Sequence, residues 1–249
     1  MISIADNIWI ADGDMVDFHG FPYPTRSVVI RLPDDGLWIW SPIKPGEALL
    51  NEIRSIGRPE HLVSPNKLHH LFLGHWRLAF PAAKLWGPAS TIQKRADLSF
   101  EPPLVDQPPA AWMGQIDQCW VRGSFMMDEI AFFHVPSRTV ILADLSENFS
   151  SKWLLENWAP WQRSLARMMK IVEHWGYAPL DWRISFLRRS KLRLAAARIL
   201  DWDPQKVIMA HGEWKPQDGR EFLTRAFGWV GRPSSLTDRS SKPPSPSVR

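Results

Sequence analysis

Histidines and one aspartate stand directly after apolar runs at three places in the chain. His69 and His70 close the segment SPNKLHH, which follows EHLV; Asp144 follows TVILA, and His211 follows KVIMA. Imidazole nitrogens and carboxylate oxygens are common ligands of zinc and iron. Because strands are rigid supports for loops that carry function, these residues predict a metal site. A hydrogen-bonded cluster of structural histidines around a helix-capping aspartate is the alternative.

The three places belong to a chain in which apolar runs of strand length alternate with segments of helical spacing. Strands are predicted at residues 7–11, 27–32, 37–40, 61–64, 84–87, 116–122, 130–135, 139–143 and 206–209. Helices are predicted at residues 45–56, 89–97, 151–175, 182–200 and 218–227, and PDDG at 33–36 predicts a hairpin turn. This alternation favours an α/β fold with two packed sheets between helical layers.

The composition is that of a folded domain followed by a basic tail. Of the 249 residues, 45% are hydrophobic and 22% are charged, as in ordinary globular domains. The net charge is +4, but residues 232–249 contain four cations and one acid. The remainder is therefore nearly neutral, and nucleic acid is not an expected partner. The Ser- and Pro-rich segment 232–249 is predicted to be disordered, which leaves residues 1–231 as the folded domain.

Several classes of protein are excluded by features that the sequence lacks. The single cysteine, Cys119, cannot form an internal disulfide. No apolar run reaches the ~18 residues of a membrane span, and the acidic N-terminal segment differs from a signal peptide, so a cytoplasmic location is expected. The signatures of P-loop, Rossmann, α/β-hydrolase and thioredoxin-type proteins are missing as well.

A basic segment at residues 183–198 has two interpretations. Six cations alternate with apolar residues there, a pattern typical of amphipathic helices that bind acidic lipid, nucleic acid or a protein partner. The same pattern fits a solvated helix face whose arginine stems cover the core.

The order of the elements resembles the metallo-β-lactamase fold, and more closely the DUF4336 family of that superfamily. The resemblance covers roughly residues 1–228. It rests on the stretches IWIADG, SVVIRLPDDGLWIWSPI, HLVSPNKLHHLFLGHW, FPAAKLWGP, EIAFFHVPSRTVILADL and DPQKVIMAHGEW. In the last of these, an apolar strand ends in His-Gly. A strand of this kind carries the final metal ligand of the superfamily. The resemblance implies a four-layer αββα sandwich, with two packed mixed sheets flanked by helices.

The metal-binding signature of that superfamily, H-x-H-x-D-H, is only partly present. Its first two histidines fall on Pro65 and Lys67, and the next histidine falls near Phe125. Proline and phenylalanine cannot bind a metal, and lysine would have to lose its proton, so the first of two metal sites is lost.

The positions of the second metal are retained, with His69 in place of an aspartate. The resemblance therefore implies one divalent ion, zinc or iron, on His69, His70, Asp144 and His211, with Asn66 supporting these ligands. It also places His19 in a loop over the mouth of the site, where it is a candidate for substrate contact. A hydrogen-bonded cluster without metal remains the alternative.

Together these observations predict a metal-dependent hydrolase that acts on a small molecule. Asp144 is its expected catalytic residue, which orients or deprotonates a water molecule activated by the ion. The other hypothesis is a non-catalytic binding or scaffold protein on the same fold, which would use a groove rich in the chain's 15 tryptophans or the segment 183–198. The sequence leaves assembly into a homo-oligomer open.

Overall fold

Six strands form the first sheet in the order in which they follow along the chain. The computed structural model describes residues 1–231, so the tail predicted at 232–249 lies outside the described residues. The strands are β1 Ile2–Ala5, β2 Ile8–Phe18, β3 Phe21–Arg31, β4 Gly36–Trp40, β5 Arg58–Val63 and β6 Lys84–Trp86. The first four are antiparallel neighbours, whereas β5 runs parallel to both β4 and β6. The predicted turn at 33–36 is confirmed, because the Leu32 N–H donates to the Gly36 carbonyl across it.

Four strands form the second sheet, in the order β10-β9-β8-β7. They are β7 Ile116–Val121, β8 Glu129–His134, β9 Thr139–Leu142 and β10 Lys206–Met209. The pair β9 and β10 is parallel and the others are antiparallel. Since parallel strands run in the same direction, the residues that follow β9 and β10 emerge at one edge of the sheet.

Eight helices accompany these sheets within residues 1–231. They are α1 Glu47–Ile56, α2 Leu73–Ala79, α3 Ala89–Lys94, α4 Ser151–Asn157, α5 Pro160–Met169, α6 Leu180–Ser185, α7 Arg189–Asp201 and α8 Gly219–Ala226. Among them, no helix combines the length and the apolar character needed to cross a membrane.

The two sheets pack face to face, and helices cover their outer faces. Alternate residues of β3 divide between the layers: Val28 and Ile30 join Phe132, Ile141 and other side chains of the second sheet, as the two-residue period of a strand requires. Between them, Val29 faces the layer of α1 and α2, and a separate cluster joins the second sheet to α6, α7 and α8. The predicted αββα sandwich is therefore confirmed. Burial on both faces explains why most of its strands read as apolar runs.

Two long predicted helices are wrong, because each is interrupted. Instead of a helix over 151–175, α4 ends before Pro160, which begins α5; proline lacks an N–H and disfavours helical backbone in the residue before it. Instead of a helix over 182–200, Phe186 leaves the helical path and forms a β-bridge with Ser124. The basic segment 183–198 is therefore shared between two helices and a connecting segment.

The first hairpin is longer than predicted. The strands β2 and β3 pair from Ile8 and Ile30 to Phe18 and Phe21, whereas the sequence indicates strands only at 7–11 and 27–32. Acidic residues in β2 and two prolines in β3 weaken the strand pattern there. Cross-strand hydrogen bonding outweighs that local preference.

Candidate metal centre

A compact loop after β5 places His69. The side-chain oxygen of Asn66 accepts hydrogen bonds from the backbone N–H groups of Leu68 at 2.8 Å and His69 at 3.3 Å. The Ser64 hydroxyl lies 2.8 Å and 2.9 Å from the carbonyl oxygens of Asn66 and His69, to which it donates. These local bonds close the loop on itself, as Asn and Ser commonly do in turns.

Glu129 holds the loop that carries Asp144. Its carboxylate, fully buried at the start of β8, accepts hydrogen bonds from the N–H groups of Ala143 and Asp144, each at 2.8 Å, and of Leu145 at 3.2 Å. The Asn66 amide donates to Asp144 Oδ2 at 2.7 Å and to Glu129 Oε2 at 3.3 Å. Asn66 therefore ties the His69 loop to the Asp144 loop.

His211 follows β10 and is oriented through its other ring nitrogen. Its Nδ1 lies 2.8 Å from the carbonyl oxygen of Pro24; because a carbonyl only accepts, Nδ1 is the donor in this bond, and the bond turns Nε2 toward Asp144. The Arg26 guanidinium donates to the carbonyls of Met209 at 2.9 Å and Gly212 at 2.8 Å. The hairpin β2–β3 thus supports the histidine loop of the other sheet.

Three side chains converge. His69 Nε2 lies 3.4 Å from Asp144 Oδ2, and His211 Nε2 lies 3.4 Å from Asp144 Oδ1. One nitrogen or oxygen atom of each of the three side chains lies within 4.8 Å of the others. The Nδ1 atom of His69 is 2.8 Å from the Ser41 hydroxyl, so Nε2 is again the nitrogen turned toward the carboxylate. The three side chains are 8–10% exposed, which leaves them in contact with solvent over a small area.

These distances fit a metal-binding set. Ligand atoms 2.0–2.2 Å from a tetrahedral zinc ion lie about 3.3–3.6 Å from one another. Each imidazole Nε2 lies 3.4 Å from a different oxygen of Asp144, and one ligand atom of each of the three side chains lies within 4.8 Å of the others, which is close to that spacing. A direct charge-assisted hydrogen bond would bring the same atoms to about 2.7–2.9 Å. Burial by itself would raise the pKa of Asp144, but the neighbouring His69 and His211 outweigh it and hold that pKa well below its ordinary value. The carboxylate is therefore charged, as a metal ligand must be.

His70 is not brought to this group, although it was expected among the ligands. Its Nδ1 lies 3.5 Å from the Arg95 guanidinium, which also donates to the His70 carbonyl at 3.0 Å. Burial, followed by the charges of Lys94 and Arg95, lowers the pKa of His70 to about 4. The ring therefore belongs to the contact between the loop and the end of α3.

His19 lies at the turn between β2 and β3. Its side chain is exposed and its ring packs edge-on against Phe18 at 4.7 Å. Its φ of +53° is the left-handed conformation that this tight turn requires. A contact between His19 and substrate stays a prediction.

The positions matched to the lost first metal have other roles. The Pro65 carbonyl accepts from the Ile130 N–H at 2.9 Å, and the Lys67 carbonyl accepts from Lys94 Nζ at 3.0 Å. Phe125 is 70% exposed. Backbone bonding at the first two positions joins the two sheets and anchors the His69 loop to α3.

Two buried carboxylates beside the site, Glu129 and Glu147, were not predicted from the sequence. Burial, followed by the charge of Asp144, raises the pKa of Glu129 to about 7. Burial, and then the same charge, also raises the pKa of Glu147, whose carboxylate accepts from the Tyr23 hydroxyl at 3.4 Å. The Tyr23 ring in turn packs edge-on against His211 at 4.9 Å. An acid at the head of the apolar strand EIAFFH was the available signal for Glu129.

Solved metallo-β-lactamases share this architecture. FIM-1 from Pseudomonas aeruginosa, in a mono-zinc form, aligns with a TM-score of 0.61 at 13% identity, over 92% of this chain and 93% of that chain. The Hirschia baltica enzyme gives 0.60 at 14%, over 92% and 96%, and the Erythrobacter litoralis enzyme gives 0.62 at 10%, over 92% and 94%. At such low identities the likeness shows the fold alone, and that fold is metallo-β-lactamase-like.

The family follows from the sequence match. A family model described as a domain of unknown function, DUF4336, matches residues 5–153, and the chain belongs to this family. The matched region includes His69 and Asp144 and ends before His211. No curated protein matches the chain.

Proposed function

We propose that the protein is a metal-dependent hydrolase with one divalent ion, zinc or iron, held by His69, Asp144 and His211. The observation that carries this proposal is the pair of imidazole Nε2 atoms, each 3.4 Å from an oxygen of one charged carboxylate. This set leaves out His70, whose Nδ1 faces Arg95. Two histidines and one carboxylate suit zinc or iron, and three protein ligands leave a position for substrate or water.

Asp144 is the proposed catalytic residue. A divalent ion at this place would act as a Lewis acid and lower the pKa of the attacking water. With such an ion bound, the carboxylate of Asp144 would orient the water and accept its proton as the water adds to the substrate, and that same proton would pass to the leaving group. The Asn66 amide, 2.7 Å from Oδ2, keeps the carboxylate in place.

The proposed substrate is a small molecule with an electrophilic carbonyl or phosphoryl centre. The three side chains are exposed over only 8–10% of their surface, so a small reacting group can reach them and a folded protein surface cannot. We also propose that the enzyme works in the cytoplasm, where its free and buried Cys119 would stay reduced.

Metal analysis of the untagged full chain tests the proposal. We expect about one equivalent of zinc or iron in the wild type and its loss in His69→Ala and Asp144→Ala. The matched control is His70→Ala, which removes the neighbouring imidazole and should keep the metal. Circular dichroism verifies that each variant is folded.

Three outcomes would contradict the proposal in whole or in part. A folded wild type that binds no metal after expression with zinc or iron would favour the binding or scaffold protein. Equal metal content in wild type and Asp144→Ala would mean that an ion is held elsewhere. If the wild type and His70→Ala hold the metal but the wild type does not hydrolyse a panel of esters, thioesters and phosphodiesters, the metal site is supported and the hydrolase assignment is wrong.

A further inference from the structure

A group of exposed apolar side chains lies where the loop before β8 meets the segment between α6 and α7. Phe125, Ile184 and Leu187 are 70%, 68% and 76% exposed, and we call these three residues the apolar tip. The Phe125 N–H donates to the Ser185 carbonyl at 3.2 Å, and the hydroxyls of Ser124 and Ser185 lie 2.6 Å apart. Backbone pairing thus holds the two segments side by side.

Exposed cations adjoin the apolar tip. Arg188, Arg189 and Lys191 directly follow Leu187, all are exposed, and residues 182–200 contain no acid. Within residues 1–231, none of the three cations lies within 4.0 Å of a carboxylate. The Arg188 N–H donates to the Gly123 carbonyl at 3.4 Å, which keeps the cations beside the loop that carries Phe125.

We propose that the apolar tip and these three cations dock the protein onto a membrane surface that contains anionic phospholipid. Aliphatic and aromatic side chains insert at the boundary between headgroups and acyl chains, while neighbouring cations contact the phosphates. The docked protein is peripheral, and this interaction is independent of the metal centre.

Charge and side-chain type favour a membrane over other occupants. A second copy of the chain, bound through the same face, would bring Arg188, Arg189 and Lys191 opposite their own counterparts. Nucleic acid would pair with the cations, but it offers no apolar environment for Ile184 and Leu187. An anionic bilayer complements both the charge and the apolar surface.

Co-sedimentation of the full chain with lipid vesicles tests this inference. We expect binding to phosphatidylcholine vesicles that contain about 30% phosphatidylserine, weaker binding at high salt, and little binding to phosphatidylcholine alone. Leu187→Ser should reduce partitioning about tenfold, and Lys191→Gln about fivefold.

Matched controls distinguish binding through this surface from non-specific binding to vesicles. Leu78→Ser, at an 81% exposed leucine of α2, controls for Leu187→Ser, and Lys152→Gln, at an exposed lysine of α4, controls for Lys191→Gln. Both should bind vesicles as the wild type does. A further variant replaces Arg232, Arg239, Lys242 and Arg249 with glutamine, so that the contribution of the tail is measured separately.

The outcomes are distinct. Failure of the wild type to bind anionic vesicles overturns the proposal, and so does equal loss in Leu187→Ser and Leu78→Ser. Loss of binding confined to the tail variant assigns the interaction to residues 232–249 and overturns it too. Dimerisation that Leu187→Ser abolishes, or tight binding to single-stranded RNA that Lys191→Gln abolishes, without vesicle binding, would identify a different occupant.

Discussion

Glu129→Gln tests whether the position of Asp144 depends on one buried carboxylate. One oxygen of Glu129 accepts from the Ala143 N–H, and the other accepts from Asp144, Leu145 and the Asn66 amide. Glutamine has nearly the same shape but only one acceptor oxygen. Even in its better orientation, its NH2 group faces the N–H of Ala143, so that buried donor loses its partner.

The expected loss of stability follows from these bonds. An unpaired buried N–H costs about 1–3 kcal/mol, and the remaining bonds weaken because the acceptor is neutral. Removing the charge of Glu129 also relieves its repulsion with Asp144, which offsets part of this cost. We therefore expect the free energy of unfolding to fall by about 2 kcal/mol at about pH 8, above the pKa of about 7 of Glu129.

Urea denaturation followed by circular dichroism measures this change. The matched control is Glu156→Gln, at an exposed glutamate of α4, which should shift stability by less than about 0.5 kcal/mol. If the two variants unfold at the same urea concentration, Glu129 does not anchor the loop. We also expect Glu129→Gln to bind the proposed metal more weakly, because Asp144 is no longer held in place.

Burial lowers the pKa of His134 to about 4, against about 6.5 in the unfolded chain, so the folded state binds that proton less readily. The contribution of His134 to stability is complete above about pH 6.5 and should fall by about 2–3 kcal/mol toward pH 4. Denaturation across this range should show a shallower loss in His134→Gln, and an unchanged slope would mean that His134 is not the titrating group. Gly212→Ala should cost about 2–4 kcal/mol, because Gly212 has a φ of +88° and a Cβ there would lie 2.3 Å from the Asn148 carbonyl. Thermal melting measures that cost, and a variant as stable as the wild type would contradict it. Metal at about 100 times its Kd should add about 2.7 kcal/mol to stability, which chelation with EDTA should remove; an unchanged melting temperature would contradict a bound ion.

Much of the fold could be predicted because its strands are short and buried. The runs at 139–143 and 206–209 match β9 and β10 to within a residue, since strands covered on both faces must be apolar throughout. Asp144 and His211 come together for a related reason: β9 and β10 are parallel neighbours, so their carboxyl ends meet at one edge. The helix boundaries are harder to predict, because apolar residues at helical spacing continue across Pro160 and Phe186, where the helical backbone is interrupted.

At the candidate site, local sequence pattern does not distinguish the residues that converge from those that do not. His69 and His70 are adjacent and of the same type, so spacing alone treats them alike. Ser41 at the end of β4 holds one ring, while Arg95 after α3 lies against the other. Both partners are distant in sequence, and neither resembles a metal-site residue by type.

The sequence by itself determined the residue types, the strands that carry them and the αββα architecture, because hydrophobic burial acts on the periodicity of each segment. Only the tertiary structure decided that His69, Asp144 and His211 face one another while His70 does not. The orientation of a side chain in a turn depends on hydrogen bonds to distant residues. Here those bonds come from Ser41, which follows β4, and from the Pro24 carbonyl on β3. The first forms when β4 and β5 pair within one sheet, and the second forms only when the two sheets pack.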